Sequence, residues 1–184
     1  TAGTSNFVAG VNTGNSITSG GNYNTLIGDE AGTALTTGDN NVAVGYQALS
    51  TEDANGNSTA VGYRSLKVQN AGAESYNVAV GYNAGVAVTT GVQNTIIGGI
   101  AGDSLTDADE NVGVGYASLN GDTLGSKSTA VGSRSLGNQN FTTATNSYNT
   151  AVGVDAGLSV TTGIQNTIIG GNAGDALTDA DYNV

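Results

Sequence analysis

The 184-residue chain contains no proline, cysteine, methionine, tryptophan or histidine. Without cysteine there is no disulfide framework and no thiolate metal site. Without cysteine and histidine, the usual nucleophile–base pairs and the commonest metal ligand are missing as well. Four Lys and Arg stand against fifteen Asp and Glu, a net charge of −11. A basic footprint for nucleic acid therefore cannot form. No apolar run approaches the roughly 18 residues that a membrane-crossing helix needs, so no membrane insertion is expected. Aromatic residues make up 5% of the chain, too few for a large aromatic core.

What is abundant is glycine, at 30 residues, within a chain that is 38% apolar. Such richness in glycine often accompanies disorder. Here, however, Val, Ile and Thr recur on a fixed beat, which disorder does not require. A five-residue motif opens on Asn or Ser and closes on Gly. It reads NFVAG at 6–10, NTLIG at 24–28, NVAVG at 41–45, STAVG at 58–62 and NVAVG at 77–81. It continues as NTIIG at 94–98, NVGVG at 111–115, STAVG at 128–132, NTAVG at 149–153 and NTIIG at 166–170. The closing residues are Gly10, Gly28, Gly45, Gly62, Gly81, Gly98, Gly115, Gly132, Gly153 and Gly170, mostly 17 apart. The excess residues, such as QNFTTATNS at 139–147, are expected in loops between coils, outside the stack.

A second element follows each motif. It is Ala-Gly or Thr-Gly in six copies, for example Ala84-Gly85, and Ala-Leu or Ser-Leu in four, for example Ser65-Leu66. The Gly type carries an aliphatic-Thr pair three residues on, as in Val88-Thr89. Two Leu-type copies alternate with two Gly-type copies, which explains why QNTIIGG occurs at 93–99 and again at 165–171. The larger repeat spans four coils. The chain stops on YNV, the opening of another copy, so residues 1–184 are expected to be one solenoid segment of a longer repetitive chain.

A period of 17 is too short for helix-pair repeats or propeller blades. The motifs are short, β-branched and bounded by Asn and Gly, which reads as strand. One strand per 17 residues predicts an all-β fold, a parallel β-solenoid of about ten coils with equivalent positions about 4.8 Å apart. Asn24, Asn41, Asn77, Asn94, Asn111, Asn149 and Asn166 are expected to form a ladder, with the motif glycines at the corners. Positions two and four of the motif face one way and position three the other. All three are largely apolar. One face can fill the lumen, and the other needs a cover. The same surface of neighbouring chains in a homotrimer is the simplest cover; a monomer with a mildly apolar face is the alternative.

The stretches NVAVGYQALS, STAVGYRSLK and NTIIGGIAGDSLT resemble the repeats of phage tail-fibre shafts. They are also similar to the head repeats of trimeric autotransporter adhesins. The resemblance implies a left-handed β-roll, a trimer, and a place outside the cell or on a virion.

Candidate chemistry is sparse. Asp29-Glu30, Glu52-Asp53, Asp107, Asp109, Glu110, Asp179 and Asp181 lack basic or aromatic company in sequence, and read as charges that keep a glycine-rich rod soluble. Carboxylate catalysis is the weaker alternative, and no cofactor is expected. DADEN at 107–111 and DADYN at 179–183 place acids at alternate positions, so Asp107, Asp109, Asp179 and Asp181 are candidate Ca²⁺ ligands. Tyr46, Tyr63, Tyr82 and Tyr116 follow motif glycines, while Tyr23, Tyr76, Tyr148 and Tyr182 precede motif asparagines. They are expected to pack along the flank or against a partner chain, with contact to a host glycan as the alternative. The expected partner is the chain itself, as a homotrimer or an end-to-end filament.

Overall fold

The computed structural model describes residues 3–184. Its architecture follows from the motif. Three-residue strands form at the β-branched centre of each copy: β1 Phe7–Ala9, β2 Thr25–Ile27, β3 Val42–Val44, β4 Thr59–Val61, β5 Val78–Val80, β6 Thr95–Ile97 and β7 Val112–Val114. The series continues with β8 Gly125–Ser126, β9 Thr129–Val131, β10 Thr145–Asn146, β11 Thr150–Val152 and β12 Thr167–Ile169. No helix occurs among the described residues.

All the motif strands join one parallel ten-stranded sheet in the order β1-β2-β3-β4-β5-β6-β7-β9-β11-β12. Register is kept throughout, with Val78, Ala79 and Val80 opposite Thr95, Ile96 and Ile97. The chain is thus a parallel β-solenoid of ten coils, which we number from the motif at Asn6 to that at Asn166. At about 4.8 Å per coil the stack is roughly 45–50 Å long. The small β8/β10 pair adds a second parallel contact between coils seven and eight.

Each coil bonds its neighbours at every corner and not only along the strand. Coil six donates upward from Gly98 N to the Val80 carbonyl (2.8 Å) and from Ile100 N to the Tyr82 carbonyl (2.8 Å). It donates downward from Thr95 N to the Asn111 carbonyl (2.8 Å) and from Gly102 N to the Ser118 carbonyl (2.9 Å). Backbone polar groups are thereby satisfied between coils, as a buried main chain requires.

The motif glycine turns the corner. Its φ lies between +123° at Gly28 and +146° at Gly81, a region that side chains disfavour. Stacking also brings successive glycines into close approach: a Cβ on Gly98 would lie 2.3 Å from the Gly115 carbonyl oxygen. Both constraints act at one position.

The third motif residue points into the lumen. Leu26, Ala43, Ala60, Ala79, Ile96, Ala130 and Ala151 are completely buried. Positions two and four point outward and remain partly exposed. The extra residues of coil eight depart from expectation. Gln139, Phe141 and Ser147 are buried, and only residues 142–144 and their immediate surroundings project. The insertion therefore contributes to the stack, because its polar residues find partners inside.

Replacing Gly98 with Ala is expected to cost about 3 kcal/mol or more, from forced φ and main-chain collision together. Gly72 has φ +69° but nothing within 4 Å of an added Cβ, so Gly72→Ala should cost about 1 kcal/mol. Denaturant midpoints of the two variants give the comparison.

Candidate functional site: ladders and an outer stripe

The first motif residue is the junction of the stack. Asn94 donates from its main-chain N to Asn77 Oδ1 (2.8 Å), and its own Oδ1 accepts from Asn111 N (3.0 Å). Its Nδ2 donates to the Ala108 carbonyl (2.7 Å), fourteen residues ahead, and so closes its own coil. The same pattern holds at Asn24, Asn41 and Asn111, whose Nδ2 groups reach the carbonyls of Gly38, Asn55 and Gly125. Asn77, Asn149 and Asn166 close their coils on Gly91, Gly163 and Ala180. The ladder is therefore mainly side chain to main chain, rather than amide to amide. Each of these asparagines is buried.

The alternation of Gly and Leu in the second element has a steric cause. This position is left-handed in every coil, with φ +58° at Gly85 and +51° at Gly102, but also +47° at Leu66 and +49° at Leu136. A leucine there carries a backbone cost of about 1–2 kcal/mol and inserts a fully buried side chain into the lumen. Three residues on, the chain compensates. Where the left-handed residue is Gly, the later residue is aliphatic: Ile17, Leu35, Val88, Leu105, Val160 or Leu177. Where it is Leu, the later residue is Glu52, Gln69, Asp122 or Gln139. A Cβ on Gly102 would come within 2.8 Å of Leu105 Cδ1, so the two positions share one space.

This trade places carboxylates inside the rod. Glu52 is completely buried, which corrects its reading as a solvating surface charge. Asp122, unremarked in the sequence, is equally buried. The signal that could have found them was the Leu-with-polar spacing, repeated twice. The other acids singled out from the sequence are partly or fully exposed, and several bond locally. Asp109 Oδ1 accepts from Val92 N (2.8 Å) and Asp181 Oδ1 from Ile164 N (2.8 Å), each tying its coil to the one above. Asp107 accepts from the Thr90 hydroxyl and Asp179 from that of Thr178. Asp107 and Asp109 share coil six, whereas Asp179 and Asp181 lie four coils away. Among the described residues, no group of three or more acids assembles as a metal cage. Burial pushes the Asp103 carboxyl above its usual range, against opposing hydrogen bonds from Asn120 and Ser104.

Two surfaces face outward with regular character. One is the stripe of second and fourth motif residues, in which Ile97 remains 38% exposed and Val152 37%. It runs the length of the sheet with β-branched side chains in every coil from β2 to β12. The other is a tyrosine stack. Tyr46 and Tyr63 lie 5.5 Å apart between ring centroids, and Tyr63 and Tyr82 lie 5.2 Å apart. Arg64 sits 5.0 Å from the Tyr63 ring. The stack stops because coil six carries Gly99 at this position, against which Tyr116 leans. Tyr23, Tyr76, Tyr148 and Tyr182 are exposed at left-handed corners.

Comparison of the chain with family models, curated proteins and solved structures finds no match.

Truncating Asn94 to Ala leaves the Asn111 N–H and the Ala108 carbonyl buried without their partner. The expected loss is about 2–5 kcal/mol, read as a shift in the denaturant midpoint. Truncating the exposed Thr90 should change stability by less than about 1 kcal/mol.

Proposed function

We propose that this chain is a length of the shaft of a homotrimeric, left-handed fibre on a virion or outside a cell, most simply a phage tail fibre. Its work is mechanical: it holds a receptor-binding tip away from the particle. The observation that carries this reading is the outer stripe. A single coil has no second layer to cover its outward-facing Val, Ile and Thr. Identical chains present identical stripes, and a closed symmetric contact buries all of them at once. Shape supports a mechanical role as well. Every corner of every coil bonds the next, so bending or opening the rod must break many bonds together. The chain lacks the His and Cys of the usual nucleophile–base pairs, in keeping with a structural reading.

One observation favours a second reading. The exposed Tyr46–Tyr63–Tyr82 stack with Arg64 beside it offers a lateral patch that an adhesin or surface filament could set against host glycan or matrix. In a pure shaft, contact with the host falls to regions outside this segment.

Sedimentation of the purified segment should give three times the chain mass at micromolar concentration. Val80→Lys together with Ile97→Lys, at the centre of the stripe, should give the single-chain mass while the far-ultraviolet strand signal persists. A natural chain that sediments as a stable monomer would remove the basis for the trimer. Retention of the isolated segment on immobilised glycans, lost on Tyr63→Ala, would shift the assignment to the second reading.

A further inference from the structure

We propose that the buried acid–glutamine pairs Glu52–Gln69 and Asp122–Gln139 lock coil four beneath coil three and coil eight beneath coil seven, excluding any register that parts either pair. The problem they address follows from the repeat itself. Every coil offers nearly the same strand and the same corner glycine, and eight of the ten open on Asn. A chain that skipped one coil would recover almost all of these contacts between the coils on either side. Loop-closure entropy grows only slowly with length, so extruding a 17-residue loop is a weak deterrent. Something else must distinguish one coil from the next.

The two pairs do so from inside the lumen. Glu52 Oε2 accepts from Gln69 Nε2 (2.9 Å) and Ala71 N (3.4 Å) in the coil below. Its Oε1 accepts from Asn55 N (3.3 Å) and Asn55 Nδ2 (3.1 Å) in its own coil. Gln69 Nε2 also lies 2.9 Å from Ser58 Oγ, and Gln69 Oε1 accepts from Asn77 Nδ2 (2.8 Å). The network thus ties coils three, four and five. One super-repeat later, Asp122 accepts from Gln139 Nε2 (2.5 Å), Gly125 N (3.0 Å) and Phe141 N (3.1 Å). Gln139 in turn bonds Ser128 Oγ (2.9 Å) and accepts from Asn149 Nδ2 (2.8 Å). Neither carboxylate is in a salt bridge among the described residues.

If coil four were skipped, Glu52 would face Val88 and lose both donors supplied by coil four. A buried carboxylate stripped of its partners is strongly disfavoured. Skipping coil eight would set Asp122 against Val160 in the same way. Only a shift by a whole four-coil super-repeat brings an acid back over a glutamine. Polar groups in an otherwise apolar interior are known to select register at some cost in stability. The paired arrangement here, repeated twice along the rod, has that form.

The test uses the absence of native cysteine. Cysteines introduced at exposed Thr37 and Thr162 carry spin labels seven coils apart, about 34 Å at 4.8 Å per coil. Labelled chains are diluted into unlabelled ones, unfolded, refolded and measured by pulsed dipolar spectroscopy. The labelled parent is expected to give one narrow distance. Leu49→Gly, Glu52→Leu, Leu66→Gly and Gln69→Val together rewrite coils three and four in the style of coils two and five. That variant should refold with a second population about one coil shorter, a shift of roughly 5 Å. A single peak at the parent distance in the variant, or no gain in a shorter population over the parent, overturns the proposal. If the fourfold variant does not recover a strand signal, Glu52→Ala with Gln69→Ala, which removes both buried polar groups without adding bulk, decides. A shorter peak absent from the parent supports the lock, and a single unchanged peak refutes it.

Discussion

In seven of the ten coils one side chain does the same two things at once, and the rest of the rod builds on it. The motif asparagine donates across its own coil to a carbonyl fourteen residues ahead and accepts from the main-chain N–H of the coil below. The first bond fixes the circumference of a coil. The second fixes its alignment with the next. Because the amide is buried, losing either bond leaves main-chain groups unpaired where water cannot reach them. A backbone of nearly constant cross-section follows, and with it the repeat of 17.

A constant cross-section makes the interior a problem in filling a fixed volume. The chain solves it in two ways. A left-handed glycine with a later aliphatic residue leaves one space filled by Val88 or Leu105. A left-handed leucine fills that region itself and frees the later position for a polar group. The second solution accepts backbone strain and then has to satisfy a buried carboxylate, which it does with glutamine and main-chain N–H donors. Uniformity outside and alternation inside are two consequences of the same closed ring. The uniform outside presents the continuous β-branched stripe on which the proposed trimer rests.

Much of this was legible in advance. The motif spacing predicted parallel strands in register, as β2 to β12 show, and the alternation predicted that one strand face fills the lumen; the structure decides that it is the face of the third residue, Leu26 through Ile168. Less legible was where the extra residues go. Residues 139–147 have the polar, threonine-rich look of a surface loop, yet Gln139 and Ser147 are buried. Polarity in sequence reports a need for hydrogen-bond partners, and the stack can supply those as well as water can. Glu52 and Asp122 evaded a reading by charge for the same reason. The tyrosines were seen as a set, but which rings stack depends on Gly99 breaking the column below Tyr82.

Sequence alone determined the period, the strand positions and the identity of the residues that recur, because a solenoid maps distance along the chain directly onto height along the axis. Tertiary structure decided what lies inside. Whether a given Glu, Gln or Ser meets water or a partner depends on the residue one coil above or below it. That neighbour is 17 to 21 residues away, and no local pattern reports its side chain.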